Sequence, residues 1–311
     1  MKVIFFGTSQ LATNILAFLL KNQINIVAIV TKSDKPRGQG KKTGYPNVKE
    51  YVLSQNLNIP LLQPEKASTN EFAEILAAYK PDLFVVVSYG EIIKEKLLKL
   101  PTFGCINVHP SLLPKYRGAS PIRQTLLEGD RMAGVTIIEM SLQMDAGDVL
   151  AVESVPITDE LNYLDLETLL SEVGGKLLMK VIHAYDQGKV IKIPQDHSKA
   201  TYVKKIDPSM GKIDWNQSSQ RIHNLIRAFS PSPGAWCLVK IGDQIKRLKI
   251  FKTHIEKNLI GTPGQNLFFD GARWIVACGS GALQILEIQL EGKKRMDANE
   301  FVKGIKNINF L

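Results

Sequence analysis

Residues 104–118 read GCINVHPSLLPKYRG, and this stretch decides how the rest of the chain is interpreted. Residues 105–108 predict a short buried strand, and Asn107 and His109 lie two residues apart, so their side chains leave the same face. The prolines and the glycine that follow favour an irregular loop. Open α/β sheets place ligand sites in such loops, at the carboxyl ends of strands. The stretch therefore predicts a site built around an amide and an imidazole.

A second block, LQMDAGD at 142–148, adds a carboxylate to the same predicted pocket. Asn107 could donate to a developing oxyanion, and His109 could donate to the same oxygen or move a proton near neutral pH. Asp145 could orient the imidazole or accept a proton from an attacking amine. Each residue also has a structural explanation: turn formation for the Asn, a satisfied core or surface position for the His, an Asx-turn for the Asp. Their joint spacing favours chemistry.

The composition predicts a chain of two domains without metal or disulfide crosslinks. It has 311 residues, 44% of them hydrophobic, which is enough to bury a substantial core. No apolar run reaches transmembrane length and the chain begins directly with a strand, so we expect no targeting segment and no membrane partner. The three cysteines are widely spaced and odd in number, which argues against a metal site and fits a reducing, cytoplasmic location.

Positive charge is concentrated in two parts of the chain. Residues 208–311 carry 15 basic and 8 acidic side chains, whereas the other 207 residues carry 24 and 22. Within the latter, residues 32–42 contain five basic side chains and one acidic one. A basic second domain and one basic loop favour a polyanionic partner, most simply nucleic acid, with a solubilising surface as the alternative.

The pattern of the first 185 residues predicts a Rossmann-like α/β domain with a mostly parallel sheet. The opening is β-α-β, but no Gly-x-Gly-x-x-Gly follows its first strand, so we predict no dinucleotide cofactor. Ser68 and Glu71 predict a capping box, and the apolar run 83–87 predicts a central parallel strand. Pro121 is predicted to be the first residue of a helix. A long helix over 162–185 ends this part of the chain.

The domain limits follow from polarity and from short alternating runs. We place a first, catalytic domain at 1–188 and a linker at 189–206, which is polar and lacks long periodicity. Residues 207–311 contain short alternating apolar runs that predict a small OB-like β-barrel, at 236–241, 245–252, 274–277 and 283–289.

The central blocks resemble the signature of the folate-dependent formyltransferases. The residues that carry the resemblance are Asn107, His109, Ser111-Leu112-Leu113-Pro114, Arg117-Gly118 and Asp145-x-Gly147-Asp148. The resemblance implies that Asn107, His109 and Asp145 are the catalytic trio and that the Ser-Leu-Leu-Pro loop contacts folate. It also implies 10-formyltetrahydrofolate as the formyl donor, with no metal. The sequence leaves open whether His109 acts as a base or as an oxyanion partner.

Further blocks resemble one branch of that family, the methionyl-tRNA formyltransferases, so the resemblance covers essentially the whole chain. These blocks are FFGTS at 5–9, GKIDW at 211–215, IRAFSP at 226–231, PGAW at 233–236 and GKKRM at 292–296. The likeness implies formyl transfer to the α-amino group of initiator methionyl-tRNA, which yields the formylmethionyl-tRNA used in translation initiation. We expect the protein to act as a monomer.

The resemblance also implies that residues 32–46 reach the acceptor end of the tRNA. Where the family pattern has Arg between two glycines, this chain has Gln39, and Arg37 precedes the first glycine instead. Because Gln39 carries no charge, we expect Arg37 to make the main contact, with Lys41 and Lys42 adding less specific attraction.

A second basic cluster lies in the predicted barrel. Lys293, Lys294 and Arg295 form its densest run of positive charge, and we expect them to bind the tRNA backbone.

Three other functions remain open at this point. An amino-sugar nucleotide formyltransferase would share the trio but would not need the concentrated basic charge. A formyltetrahydrofolate hydrolase would also share the trio and would release formate with no acceptor. A non-enzymatic tRNA-binding protein on the same fold would normally have lost part of Asn107, His109 and Asp145, and all three are present.

Overall fold

The computed structural model describes residues 1–37, 42–270, 272–305 and 307–311, and of residues 36, 37, 42 and 43 it describes the main chain. The chain divides into two compact units. Unit 1 consists of Met1–Pro121, Met132–Val155 and Glu167–Lys204, and unit 2 consists of Ile122–Arg131, Pro156–Leu166 and Lys205–Leu311.

The first eleven strands precede residue 205. They are β1 Val3–Gly7, β2 Ile26–Val30, β3 Lys35–Arg37, β4 Lys42–Gly44, β5 Leu61–Leu62, β6 Leu83–Val87, β7 Cys105–His109, β8 Arg117–Gly118, β9 Met132–Glu139, β10 Val149–Pro156 and β11 Tyr202–Val203. The helices between them are α1 Gln10–Lys21, α2 Asn47–Ser54, α3 Asn70–Ala78, α4 Glu95–Leu98, α5 Pro121–Glu128 and α6 Tyr163–Asp186.

The main sheet of unit 1 has the strand order β10-β9-β7-β6-β1-β2-β5. Strands β5, β2, β1, β6 and β7 pair in parallel, whereas β9 pairs antiparallel with β7. Every residue of β1 and β6 is buried, as expected for apolar strands covered on both faces. The prediction of a mostly parallel α/β sheet is confirmed.

Strand β7 carries the predicted amide and imidazole to the carboxyl end of this sheet. It lies between β6 and β9, with Val86 opposite Asn107 on one side and Thr136 opposite His109 on the other. Strand alternation puts the Asn107 and His109 side chains on one face. The site therefore lies where the parallel strands meet an antiparallel neighbour.

The start of α3 differs from the predicted capping box by one residue. Thr69 is the N-cap, and its hydroxyl accepts from the Phe72 N–H at 3.2 Å. The Ser68 hydroxyl instead donates to the Ile92 carbonyl at 2.9 Å and accepts from the Lys94 N–H at 3.2 Å. Ser68 was assigned wrongly because its hydroxyl holds a loop distant in sequence, which a local pattern does not reveal.

The segment 189–206 differs from a free linker, because its residues as far as Lys204 belong to unit 1. Strand β11 pairs in parallel with β8. Thr201 accepts from the Tyr116 N–H through its hydroxyl and from the Arg117 N–H through its carbonyl, each at 2.8 Å. Polar residues that look like a linker in the sequence thus find partners in the loop that follows β7. The limits 1–188 and 207–311 stay predictions.

The two ends of the basic segment near residue 40 pair with each other as the strands of a short antiparallel hairpin. Strands β3 and β4 pair with Lys35 opposite Gly44. Lys41 and Gln39 lie outside the described residues, and Arg37 and Lys42 are described only as main-chain positions of the hairpin. Their predicted tRNA contacts therefore stay predictions.

Unit 2 contains an antiparallel sheet with the strand order β14-β15-β16-β13-β12-β18, and β17 pairs with β16. Its elements are α7 Ser219–Phe229, β12 Ala235–Ile241, β13 Gln244–Glu256, β14 Asn266–Phe269, β15 Trp274–Ala277, β16 Ala282–Leu290, β17 Met296–Asp297, α8 Ala298–Lys303 and β18 Asn309–Phe310. Asn266 on one edge strand donates to the Ile308 carbonyl, just before the other edge strand, at 2.6 Å. This contact makes the sheet a nearly closed barrel, which confirms the barrel prediction.

The three cysteines are free thiols inside the fold. Cys105, Cys237 and Cys278 are buried and unpaired, and burial raises the pKa of the Cys278 thiol to about 12. Within the described ranges, no helix is long and apolar enough to span a membrane. In the same ranges, no group of three or more His, Cys, Asp or Glu side chains could hold a metal ion.

Candidate active site

The structure brings the three predicted catalytic side chains together. Asn107 and His109 come from the end of β7, and Asp145 comes from the loop between β9 and β10. The Asn107 amide nitrogen lies 3.3 Å from Asp145 Oδ1, to which it donates. His109 Nδ1 lies 3.6 Å from Asp145 Oδ2. One carboxylate thus faces both the amide and the imidazole.

The His109 ring is buried and is held through Nε2. Nε2 lies 2.9 Å from the Tyr116 carbonyl oxygen. Because a carbonyl can only accept, Nε2 must carry the hydrogen of this bond. Nδ1 then faces Asp145 and makes an ion pair with it whenever the ring carries its second proton. The ring orientation is therefore fixed by the loop that follows β7.

Asp145 is held in an unusual backbone conformation. Its φ is +51°, which few residues other than glycine adopt, and its Oδ2 accepts from the Gly118 N–H at 2.8 Å. Gly118 has a φ of +114°, and a Cβ there would lie 2.3 Å from the Val203 carbonyl oxygen. At Gly147 a Cβ would lie 1.7 Å from the Glu139 carbonyl oxygen. Gly118 therefore permits the close approach of β8 and β11, and Gly147 that of the Asp145 loop and the end of β9.

The Ser-Leu-Leu-Pro loop is anchored by its first residues. The Ser111 hydroxyl is buried and donates to the Lys115 carbonyl at 2.6 Å. Thr136 on β9 donates to the Ser111 carbonyl at 2.7 Å and accepts from the Leu113 N–H at 3.1 Å. The Ser111 side chain is thus used within the loop itself.

The other three residues of the predicted folate loop are half-buried. The Leu112 side chain packs against Gly134 on β9, where a Cβ would lie 2.3 Å from Leu112 Cδ2. Leu113 and Pro114 follow the anchored part of the loop. The predicted folate contacts of Ser111, Leu112, Leu113 and Pro114 stay predictions. Because the Ser111 hydroxyl is bonded within the loop and Leu112 packs against Gly134, the better candidates for these contacts are Leu113 and Pro114.

A cleft of about 470 Å³ opens beside the Asp145 loop. It is lined by residues 139–143 and 146–148 and by His197. Its lining thus includes most of the second sequence block, together with apolar side chains such as Leu142. Its size is that of a small-molecule site.

Several residues of the site were missed by the sequence analysis. Tyr116 holds the imidazole through its carbonyl, and the sequence indicated Gly118 as a signature residue without its bond to the carboxylate; both lie inside the quoted block 104–118. Gln195 is buried, and its Nε2 donates to the carbonyls of Asp145 at 2.9 Å and of Gly147 at 2.7 Å. Nothing in the polar segment around Gln195 signalled this role.

The basic cluster of unit 2 is not uniform. Lys293, Lys294 and Arg295 are all exposed. Arg295 forms an ion pair with Glu287, and its guanidinium carbon lies 4.1 Å from the centre of the Phe251 ring. Arg295 is therefore held against the barrel, whereas the two lysines project from a turn.

Family comparisons cover nearly the whole chain. The family described as formyl transferase matches residues 1–182, and the formyl transferase C-terminal domain matches residues 205–306. A methionyl-tRNA formyltransferase of Protochlamydia amoebophila is 44% identical over 98% of this chain and 95% of its own. The corresponding protein of Sulfurihydrogenibium sp. is 40% identical over 98% of this chain and 97% of its own.

Solved structures show the same fold at low identity. HypX from Aquifex aeolicus, in complex with tetrahydrofolic acid, has a TM-score of 0.66 and 19% identity over 99% of this chain and 48% of HypX. An N-formyltransferase from Helicobacter canadensis, in complex with folinic acid and dTDP-3-aminofucose, has a TM-score of 0.66 and 22% identity over 95% of this chain and all of its own. From the matches to both domains and to full-length relatives, the chain belongs to the formyl transferase family.

Proposed function

We propose that this chain transfers the formyl group of 10-formyltetrahydrofolate to the α-amino group of initiator methionyl-tRNA. The observation that carries the proposal is the meeting of Asn107, His109 and Asp145 in a chain whose full-length relatives are methionyl-tRNA formyltransferases. The product is the formylmethionyl-tRNA that starts translation. Because the proposed acceptor of the formyl group is an aminoacylated tRNA, the protein acts in the cytoplasm.

Asn107 stabilises the oxyanion in this proposal. When the amine nitrogen bonds to the formyl carbon, the carbonyl oxygen takes up negative charge. An amide nitrogen carries two hydrogens, and one of those on Asn107 points to Asp145. The second is free to meet the formyl oxygen. The bond from the formyl carbon to the folate nitrogen then breaks, and that nitrogen keeps the electron pair and takes up the proton that Asp145 received from the amine.

Asp145 receives the proton that the attacking amine must lose. Its carboxylate is held by the Gly118 N–H and by Asn107, so it keeps an acceptor at a fixed place. His109 Nδ1 shares this space and, when protonated, adds positive charge beside the developing oxyanion. Neither step needs a covalent intermediate on the protein.

The two substrates bind to different parts of the chain in this proposal. The cleft lined by residues 139–143 and 146–148 holds the folate, together with the loop at 111–114. Residues 1–188 form the catalytic domain and residues 207–311 the tRNA-binding domain, in line with the family matches at 1–182 and 205–306. The tRNA contacts come from both domains. They are Arg37, Lys41 and Lys42 in the catalytic domain and Lys293, Lys294 and Arg295 in the tRNA-binding domain.

The deciding experiment offers the protein three acceptor conditions. Purified protein is incubated with 10-formyltetrahydrofolate and methionyl-tRNA, or an amino-sugar nucleotide, or no acceptor. We expect formylmethionyl-tRNA as the main product, and we expect Asn107→Ala to abolish most of it. A formylated sugar, or formate released at the same rate without acceptor, would overturn the proposal, as would tRNA binding without any transfer.

A further inference from the structure

The buried amide of Gln195 bridges two features of the site, the main chain of the Asp145 loop and the guanidinium of Arg117. We propose that Gln195 is a positioning residue, which holds the Asp145 carboxylate where the reaction needs it, and that Arg117 fixes Gln195. The inference rests on the proposed function, because it assigns a role within the same reaction.

The loop side of the bridge is a two-point clamp. Gln195 Nε2 has two hydrogens, and they go to the carbonyls of Asp145 at 2.9 Å and of Gly147 at 2.7 Å. These carbonyls flank Ala146, so the clamp spans the turn that carries the carboxylate. Ala146 and Gly147 also line the cleft. One side chain therefore fixes both the proton acceptor and a wall of the cavity.

The other side of the bridge is a buried cation with neutral partners. Arg117 is 2% exposed, and its Nε and Nη2 donate to Gln195 Oε1 at 3.2 and 2.7 Å. Nη2 also donates to His197 Nδ1 at 3.0 Å, and Nη1 to the Tyr202 hydroxyl at 3.4 Å. A guanidinium always carries its charge, so burial against neutral partners is costly for stability. The role of Arg117 in orienting Gln195 would explain why the fold keeps this destabilising buried cation.

The clamped turn needs external support. Asp145 has a φ of +51°, in a region that residues other than glycine populate sparsely and that the surrounding structure must hold. If the turn relaxed, Asp145 Oδ2 would lose its 2.8 Å bond from the Gly118 N–H. Displacements of about 1 Å in a reacting group can reduce rates roughly 10²-fold. Gln195 thus acts on the reaction through the main chain of Asp145.

Gln195→Glu separates the two sides of the bridge. The carboxylate has the size of the amide and still accepts from Arg117, so the buried cation gains a partner of opposite charge. It has no hydrogens for the loop, and it places an oxygen against two carbonyl oxygens. Gln187→Glu is the matched control, because Gln187 is exposed just beyond α6.

The kinetic test is a double-mutant cycle with Asp145→Asn. We expect Gln195→Glu to lower kcat for methionyl-tRNA about 10- to 100-fold, with KM changed less than about threefold and the melting temperature close to that of Gln187→Glu. In the Asp145→Asn background, the same change should lower kcat less than about twofold, because both act through one carboxylate. Equal losses in both backgrounds, or wild-type kcat in Gln195→Glu, would overturn the inference.

A second measurement does not depend on activity. Amide hydrogen exchange of peptides spanning 140–149 should be about tenfold faster or more in Gln195→Glu than in Gln187→Glu, because the clamp no longer limits local opening. Unchanged exchange there would show that Gln195 does not hold the loop. If the wild type formed no formylmethionyl-tRNA, the proposed function would fail, and the exchange experiment would still decide whether Gln195 positions this loop.

Discussion

The main-chain N–H of Gly118 donates to Asp145 Oδ2 at 2.8 Å. Gly118 belongs to strand β8 and Asp145 to the loop between β9 and β10, and each has a positive φ. Because the donor belongs to the main chain, this part of the support of the carboxylate depends on the path of the chain. Any change that moves the β8 main chain should therefore act on the Asp145 carboxylate.

Asn107→Ala tests the oxyanion donor. We expect kcat to fall about 10²- to 10³-fold, the usual effect of losing one such donor, while the melting temperature and tRNA binding change little. Formylation kinetics with a thermal melt make the measurement, and Asn58→Ala, at an exposed position, is the control. Wild-type turnover in Asn107→Ala would remove this residue from the mechanism, and loss of folding would favour a purely structural role.

Gly118→Ala tests the dependence of Asp145 on the main chain. The new Cβ would lie 2.3 Å from the Val203 carbonyl oxygen at a φ of +114°, so β8 must shift away from β11. We expect both kcat and the melting temperature to fall. Gly188→Ala is the control, because Gly188 also has a positive φ, of +64°, but its Cβ would meet open space. Equal effects of the two changes would show that backbone strain, and not the displacement of β8, is responsible.

The predictable part of the site is the part encoded in two short blocks, at 104–118 and 142–148. Asn107 and His109 share a face because a strand alternates, and the glycines near Asp145 indicate close chain approach. Gln195 could not be predicted, because its hydrogen-bond partners lie 48, 50 and 78 residues earlier in the chain. Polarity alone made this segment look like a linker. Local patterns thus predict elements, whereas partners distant in sequence come only from the fold.

Lys293 and Lys294 should contribute to tRNA binding more than Arg295 does. All three residues are exposed, but Arg295 is paired with Glu287 and packed on Phe251. Replacing both lysines by Gln should reduce the salt slope of tRNA binding by about 0.7–0.9 per lost phosphate contact. Arg295→Gln should change it less. The measurement is the affinity at several salt concentrations, and an unchanged slope for the lysine pair would assign them to an ordinary solvated surface.

Arg37→Ala should lower kcat/KM for methionyl-tRNA more than Gln39→Ala does. Within 32–42, Arg37 has the single guanidinium of the sequence, and that group can contact phosphates or bases with two donors at once. Formylation kinetics of both variants at two salt concentrations test this expectation. A larger loss in Gln39→Ala would mean that the contact depends on the position between the glycines rather than on charge.

His223 of unit 2 is buried, and its two hydrogen bonds fit the neutral imidazole. Its Nε2–H donates to the Asp159 carbonyl at 2.8 Å, so Nδ1 accepts from the Thr253 hydroxyl at 2.9 Å. Burial lowers the pKa of the His223 imidazole, and the nearby Arg227 cation and His254 lower it further, against opposing contributions from Asp159. Protonation would require Nδ1 to become a donor beside a buried cation.

The stability of the protein should therefore fall as the pH drops below the unfolded-state pKa of His223, about 6.5. Its pKa is lower in the folded state, so between the two values the unfolded chain binds more protons. The contribution is complete above about pH 6.5 and declines by up to about 1.4 kcal/mol per pH unit below it. Urea unfolding at pH 7.5 and 5.5 measures the difference. In His223→Gln this part of the pH dependence should disappear, whereas His183→Gln, at an exposed position, should retain it. An equal pH dependence in His223→Gln and the wild type would show that His223 does not titrate with folding.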